Sequence, residues 1–476
     1  MIHPLHAVPE PVPPPGPRIY DPLAVAFGNA SLLGVGYLLL GRRGLAAANA
    51  AGTVVLLAAA VRTAQVWWQA VLLLWWAAVV AHGRILAGRG APRVAARGQR
   101  LAALGVTVPV LLAAGFLRFD AAGIQDDVAR ARQDGDCARV LAAQDEVWLG
   151  HRLADAPASE RGDEAAEACR RIRTAERSLA TGLTGDTDAL DAGFDILASV
   201  LLSDPGHGKA AAKALDGFLD GLPTGDACRT VAITDWLRER EPGPRALDRY
   251  DGAVARTAPT ALADCGDDFM AGGSWESART HYQRLVDRYP ASHLAPRARD
   301  GIRRATLSLE LATVRGLLDE SDGTTPEYCS TPAKYSGAAP YAKGKTNRAL
   351  FYGNDAYTDR LPRAWRADDA AKAVLVVCAG EEKHGAAVRT CPYENKLSRY
   401  FPTDVTFHKI AVPVKVYELR TGRLVAGRTV QIDGRSCPRV LRYTTYGPAY
   451  IGPPSDQYVK ASASDIRAAF RPLITR

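Results

Sequence analysis

Residues 21–84 read DPLAVAFGNASLLGVGYLLLGRRGLAAANAAGTVVLLAAAVRTAQVWWQAVLLLWWAAVVAHGR, and this stretch decides the architecture. No acidic residue occurs between Asp21 and Arg118, and arginines separate long uncharged runs. Twenty residues lie between Asp21 and Arg42, 18 between Arg43 and Arg62, 21 between Arg62 and Arg84, and 17 between Arg100 and Arg118. A helix rises about 1.5 Å per residue, so about 20 residues cross a hydrocarbon core of about 30 Å. Each run is near spanning length, and the chain is expected to be a membrane protein.

Residues 44–83 are too many for one crossing, and Arg62, Thr63 and Gln65 sit in their middle. An arginine at the bilayer centre costs at least about 2.5 kcal/mol, so 62–65 reads as a turn at a surface. The expectation is four helices, near 22–41, 44–61, 66–83 and 101–117. Arg84, Arg89, Arg93, Arg97 and Arg100 crowd one acid-free connector, which the positive-inside rule places in the cytoplasm. Four crossings put the proline-rich tail of residues 1–20 outside, whereas three would put it inside. In both cases residues from about 119 onward are extracytoplasmic. Residues 11–17 (PVPPPGP) read as a short polyproline-like leader and lack the apolar region of a cleaved signal peptide.

Composition agrees with this compartment. The net charge of +8 resides in residues 1–119, where ten arginines face Glu10 and Asp21; the remaining 49 basic and 49 acidic residues cancel. The basic balance therefore reports membrane topology and excludes a phosphate-binding surface, so no nucleic-acid partner is expected. All eight cysteines lie between Cys137 and Cys437, no CxxC occurs, and an oxidising exterior permits four cystines. Nearest-neighbour pairing suggests Cys137–Cys169, Cys228–Cys265 and Cys378–Cys391, leaving Cys329–Cys437. Abundant Ala, Arg in excess of Lys, and two methionines suit a GC-rich bacterial genome.

Residues 119–320 carry helical periodicity with Gly or Pro punctuation. Phe194, Leu197, Leu201 and then Ala211, Leu215, Leu219 mark a helix pair broken at Asp204-Pro205-Gly206. Ala261, Leu262, Cys265 and Phe269 line another helix, stopped by Gly272-Gly273. Ala278, Tyr282, Leu285 and Val286 line the next, which ends at Tyr289-Pro290 and is followed by Ala295 and Ala298. Over residues 258–310 this resembles a tetratricopeptide repeat of bacterial envelope proteins. The resemblance implies stacked helical hairpins with a concave surface that holds a peptide or protein.

Residues 321–476 change character. Pro and Gly mingle with aromatic residues over 323–365, which forbids long helices. Residues 373–378 (AVLVVC) read as a strand. Residues 405–419 alternate, with Ile410, Val412, Val414 and Val416 on one face and Pro413 marking an edge or bulge. Thr421-Gly422 turns the chain into 424–432, a β-hairpin partner. A strand near 439–443 and a helix capped by Ser464 complete the expectation. The fold class is thus multi-domain: an α-helical transmembrane bundle, an all-α tetratricopeptide-like hairpin stack, and a mainly antiparallel β domain with a C-terminal helix.

No constellation carries recognisable chemistry. Gly344-Lys345-Thr346 lacks the upstream glycine of a phosphate loop. Asp186, Asp188 and Asp191 lack the glycine and late acid of a calcium loop and suit a helix start. His281 and His293 have no further ligand candidates, and Ser274 lacks a nucleophile elbow and suits an N-cap. Asp267 with Asp268, and Glu381 with Glu382, are sequence neighbours that do not face one substrate. No catalytic residue, metal or cofactor is expected. The aromatic loop residues Tyr335, Tyr341, Tyr357 and Trp365 are the candidates for gripping a peptide or cell-wall glycan, the alternative being that they fill the β domain's core. The functional expectation is an extracytoplasmic protein-binding scaffold or assembly factor for another envelope component. The alternative is an enzyme on cell-wall or secreted substrates at the helical/β junction.

Overall fold

The run expected to form the first crossing breaks in its middle. In the computed structural model, which describes residues 20–63, 65–89, 97–319, 325–395, 398–444 and 452–475, it forms two short helices, α1 Pro22–Ala30 and α2 Val35–Leu39. Leu32 (φ 63°) and Gly34 (φ 75°) turn the chain between them in the left-handed region, which glycine adopts without a Cβ clash. The two helices meet backbone to backbone, since a Cβ on Gly28 would lie 2.7 Å from the amide nitrogen of Gly36. Asn29 holds the fold-back from inside, accepting from the Tyr37 amide at 3.2 Å and donating to the Val79 carbonyl at 3.3 Å.

The next three helices are long and apolar enough to cross a membrane: α3 Arg43–Thr63, α4 Trp67–Gly88 and α5 Arg97–Asp134. Of the expected turn at 62–65, Arg62 and Thr63 close α3, and α4 begins at Trp67. The fourth expected helix does not stop near residue 117 but continues to Asp134, because Ile124, Val128 and Ala131 keep an apolar stripe that packs onto the next helices. Arg93 and the tail of residues 11–17 lie outside the described residues.

The chain divides into two units, Met1–Ala258 and Pro259–Arg476. In the first, the three membrane-length helices are followed by α6 Cys137–Asp145, α7 Leu149–Ala154, α8 Ala156–Gly182, α9 Thr187–Ser203, α10 Gly208–Asp220 and α11 Ala227–Glu239. The Cys137–Cys169 disulfide ties α6 to α8 as expected. Asp136, Asp155, Asp186 and Asp226 each cap a helix by accepting a backbone amide three residues on, which satisfies one of the helix's orphan donors. Phe194 on α9 packs against Phe218 and Trp236, with the Arg240 guanidinium 4.5 Å above its ring.

Helix α12, Asp251–Ala271, carries the boundary into the second unit, which continues with α13 Trp275–Arg288 and α14 Ala295–Leu317. Gly273 (φ 74°) breaks the chain after α12, and α13 ends before Tyr289. Ser274 occupies the N-cap position but makes no side-chain cap bond. Ala278 and Tyr282 are fully buried. The Tyr282 ring lies between glycines of two helices, since a Cβ on Gly266 or Gly301 would meet it at 2.6 Å.

The sheet that follows is curled and mixed, where a mainly antiparallel one was expected. Its centre is β4, Ser398–Glu418. On one side run β2 Leu375–Ala379 and β3 Lys383–Asn395, and on the other β5 Arg423–Ile432, all three antiparallel to β4. Two short strands are parallel: β1 Ala349–Tyr352 beside β2, and β6 Asp456–Tyr458 beside β4. Pro413, with no amide to donate, sits where β2 has ended and β3 has not begun, its carbonyl accepting from Gly380. Ile410, Val412, Val414 and Val416 share the buried face as expected, and α16 Ala463–Ile474 covers it with Phe470 and Ile474. The cap of that helix is Ser462, two residues before the expected one, in a reciprocal box with Asp465. No strand forms over 439–443, where Val440 is exposed. Asp355–Thr358 forms the one-turn α15.

Two expected cystines are corrected. Cys329 bonds Cys378, and Cys391 bonds Cys437. Cys378 lies opposite Lys415 and Cys391 opposite Val405 on β4, ten residues apart on one strand. At about 3.3 Å per residue that places them on the order of 33 Å apart, so they cannot bond to each other. Cys228 and Cys265 are also disulfide-bonded, and no described cysteine is free.

Candidate functional site: a cationic groove on the sheet

The face of the sheet away from α16 is only partly covered. Val376, Cys378 and Tyr417 pack beneath Tyr328, Leu419 and Val314 of α14, forming a second core. Burial pushes the Tyr328 hydroxyl far above its ordinary pKa, and that hydroxyl donates to the Ala333 carbonyl at 2.9 Å. The loop bearing Tyr328 is fixed by the Cys329–Cys378 disulfide and by Tyr417, whose hydroxyl donates to the Cys329 carbonyl at 3.2 Å.

Beyond this loop the sheet face emerges as an open groove of about 560 Å³. One cross-strand row on its floor is Cys378, Lys415 and Gly427. The next is Gly380, Pro413 and Thr429. The glycines supply no side chain, which hollows the floor on both flanks of β4. Pro326, Pro413 and the disulfide line it with apolar groups, while Lys415 stands on its floor with no carboxylate among the described lining residues; Arg428 reaches the lining from β5 but pairs with Val414, so its side chain starts from the α16 face. Neither cation has an ion-pair partner among the described residues. The arrangement is suited to holding an extended anionic segment, in which apolar walls exclude water and strengthen the attraction of the Lys415 ammonium. Its hydroxyls, Thr325, Ser330 and Thr429, have no histidine in the lining to activate them.

The aromatic candidates occupy other places. Trp365 is buried in the core under α16, and Tyr341 and Tyr357 pack half-buried against that same core. Tyr335 packs against the opposite core, with its amide donating to the Leu419 carbonyl. The structure therefore does not bring the four together on one surface. Asp186 caps α9, and Asp191 accepts from the Trp236 indole at 3.2 Å. The His281 ring bonds the Ser277 carbonyl of its own helix. Burial works against ionisation of Asp267, but the Tyr282 hydroxyl and Arg297 outweigh it and hold the carboxyl below its usual range. Glu382 accepts from Asn354 at 2.9 Å, and Gly344 forms an exposed turn at φ 73°.

One constellation escaped the sequence reading. His384 and His408 stack at 5.1 Å, Tyr458 tilts against His384 at 4.4 Å, and His408 Nε2 lies 2.7 Å from Asp456. Nδ1 of His408 lies 3.1 Å from the Gly385 carbonyl, so both ring nitrogens are engaged and neither is open to a substrate proton. The parallel pairing of β6 with β4 creates this cluster, and 48 residues separate its partners in sequence. No group of three or more metal-ligating side chains among the described residues is placed to hold an ion. Comparison with known protein families, curated proteins and solved structures gives no match for the chain.

Proposed function

We propose that the chain is a membrane-anchored binding protein of the cell envelope, and that its sheet groove holds an acidic segment of another envelope protein. The observation that carries this is Lys415, a cation with no ion-pair partner among the described residues, on the floor of an apolar groove whose described lining holds no carboxylate. In this reading α3, α4 and α5 cross the bilayer and the arginine connector is cytoplasmic. The chain beyond Arg118 is extracytoplasmic, a compartment compatible with its disulfides. The α12–α13–α14 succession serves as a tetratricopeptide-like hairpin, with Ala278 and Tyr282 at its closest helix approach.

Helices α1 and α2 form a re-entrant hairpin, with both ends on the cytoplasmic side. Its start is level with the start of α5, where Asp21 meets Arg100 and its amide donates to Gln99. Its tip is level with the middle of α4, where the Trp76 indole donates to the Ala30 carbonyl. Irregular backbone at membrane depth must find protein partners, and Asn49 of α3 donates to the Leu32 carbonyl at 2.7 Å, while the Thr53 hydroxyl donates to the Asn49 carbonyl at 2.9 Å.

The test uses the full chain in vesicles and two peptides of equal length, one rich in Asp and Glu and the other its Asn/Gln counterpart. Binding is expected for the acidic peptide alone, weakening with salt and lost in the Lys415→Ala variant. Equal binding of the two peptides, or full binding by the variant, would sink the proposal.

A further inference from the structure

The membrane region contains a second concavity, of about 270 Å³, between α2, α3 and α4. Leu45, Ala48, Trp75 and Ala78 give it an apolar lining, and Asn49 and His82 add polar groups. These polar groups are not all spent on the fold. Asn49 is 4 % exposed; its Nδ2 donates to Leu32, but its Oδ1 finds no hydrogen-bond partner among the described residues. His82 uses Nδ1 with the Tyr37 hydroxyl at 2.8 Å, and its Nε2 has no partner among the described residues. The Trp75 indole N–H, by contrast, is already committed to Thr53 at 3.1 Å.

An amide oxygen left unpaired in an apolar surrounding is costly; Asn49 Oδ1 has almost no accessible surface as it stands, and a donor in the pocket would remove that cost once the amide turns toward it. The donor must arrive on an apolar body, because the lining is otherwise hydrocarbon and aromatic. It must also be uncharged, because no Lys, Arg, Asp or Glu lines the pocket to compensate an ionic head. A hydroxyl meets all these conditions, since it donates to Asn49 and can donate to or accept from the imidazole. We propose that this pocket binds the hydroxyl-bearing head of a neutral membrane lipid, diacylglycerol being the simplest of the class, with its chains continuing into the bilayer. The proposal rests on the membrane reading of α3 and α4 and is independent of the sheet groove.

The experiment reconstitutes the full chain in phosphatidylethanolamine/phosphatidylglycerol vesicles containing a trace of photoreactive diacylglycerol. After irradiation, the labelled residues are mapped by mass spectrometry. Labelling is expected to concentrate within residues 45–49 and 75–82, to be competed by unlabelled diacylglycerol but not by phosphatidylglycerol, and to fall several-fold in Ala48→Trp. Ala78→Phe fills the pocket from its other wall and should do the same if Ala48→Trp fails to fold. Labelling spread evenly over the outward-facing Val54, Leu73 and Leu112 would overturn the site. So would labelling unchanged in a folded pocket-filling variant, or a photoreactive phosphatidylglycerol marking the same residues equally. A chain that is not embedded in the vesicles at all would show no lipid labelling on any helix, which separates failure of the membrane reading from failure of the pocket.

Discussion

The carboxylate of Asp21 lies 2.5 Å from Nε of Arg100, joining the first residue of the apolar region to the last arginine of the connector. Asp21 is 2 % exposed, so this pair fixes the start of α1 to the start of α5. With the cysteines bonded in disulfides, a single introduced cysteine is the only reactive thiol. An impermeant thiol reagent on intact spheroplasts should label Val66→Cys and Asp127→Cys. It should reach Gly88→Cys and Tyr20→Cys only after permeabilisation. Labelling at position 20 in sealed spheroplasts would mean that the chain crosses where we place a hairpin.

Packing around Tyr282 gives a stability contrast within one helix. Gly301→Val puts a side chain into the ring and should destabilise by about 1–3 kcal/mol, as overpacked cores do. Gly316→Ala meets nothing within 4 Å and should be neutral or stabilising by up to about 1 kcal/mol. Thermal unfolding of the two full-length variants, side by side, decides whether α14 is docked through that glycine.

His207 is 1 % exposed, with Nδ1 2.9 Å from Asp204. Burial lowers its pKa below the ordinary 6.5, against the opposing pull of Asp204. The unfolded chain therefore takes the proton first. Stability is fully present above about pH 6.5 and declines as the pH falls below it, by no more than about 1.4 kcal/mol per pH unit for one proton. His207→Gln should flatten the dependence of the melting midpoint between pH 7 and 5, roughly the range in which histidine titrates. A slope identical to that of the parent would assign the effect to another group.

Non-reducing peptide mapping should recover Cys329 linked to Cys378 and Cys391 linked to Cys437. The latter closes a loop of 46 residues, and Cys391→Ser/Cys437→Ser should cost about 2–4 kcal/mol. A Cys378–Cys391 peptide would contradict the alignment of β2 and β3 along β4.

Trp365→Ala should cost about 3–5 kcal/mol through the void left under α16. It should leave capture of the acidic peptide intact at temperatures where the variant stays folded. Loss of capture without loss of stability would return this residue to the binding surface.

The sequence announced some features because a single local property decides them. Arg62 and Gln65 are intolerable in hydrocarbon, so the turn between α3 and α4 could be placed by charge alone. The alternation from Ile410 to Val416 needed only a period of two. The hairpin at Asn29 was hidden by composition, since its polar residues are small enough to pass in an apolar run. Its signal was the density of helix-poor residues: Gly28, Asn29, Ser31, Gly34 and Gly36 fall within nine positions. Strands β1 and β6 were missed because they are short and pair in parallel with distant partners, which no local pattern encodes. The groove was illegible for a similar reason. The β4–β5 hairpin sets Gly427 opposite Lys415, but the wall at Pro326 and Cys329 comes from a distant loop that only the disulfide to Cys378 holds there.

Helix α5 runs 38 residues with Pro109 inside it, about 57 Å at 1.5 Å per residue. Its first half belongs to the membrane region and its second half packs with α6 and α8. Where it leaves the membrane region, Arg118 donates to the Ala154 carbonyl at 3.1 Å and lies 3.6 Å from Asp155. On the membrane reading proposed above, one helix therefore replaces a joint at the bilayer surface. A tilt of the part of α5 beyond Pro109 would be passed on to α6 and α8, and a load applied to those helices would be felt in the helix's apolar half.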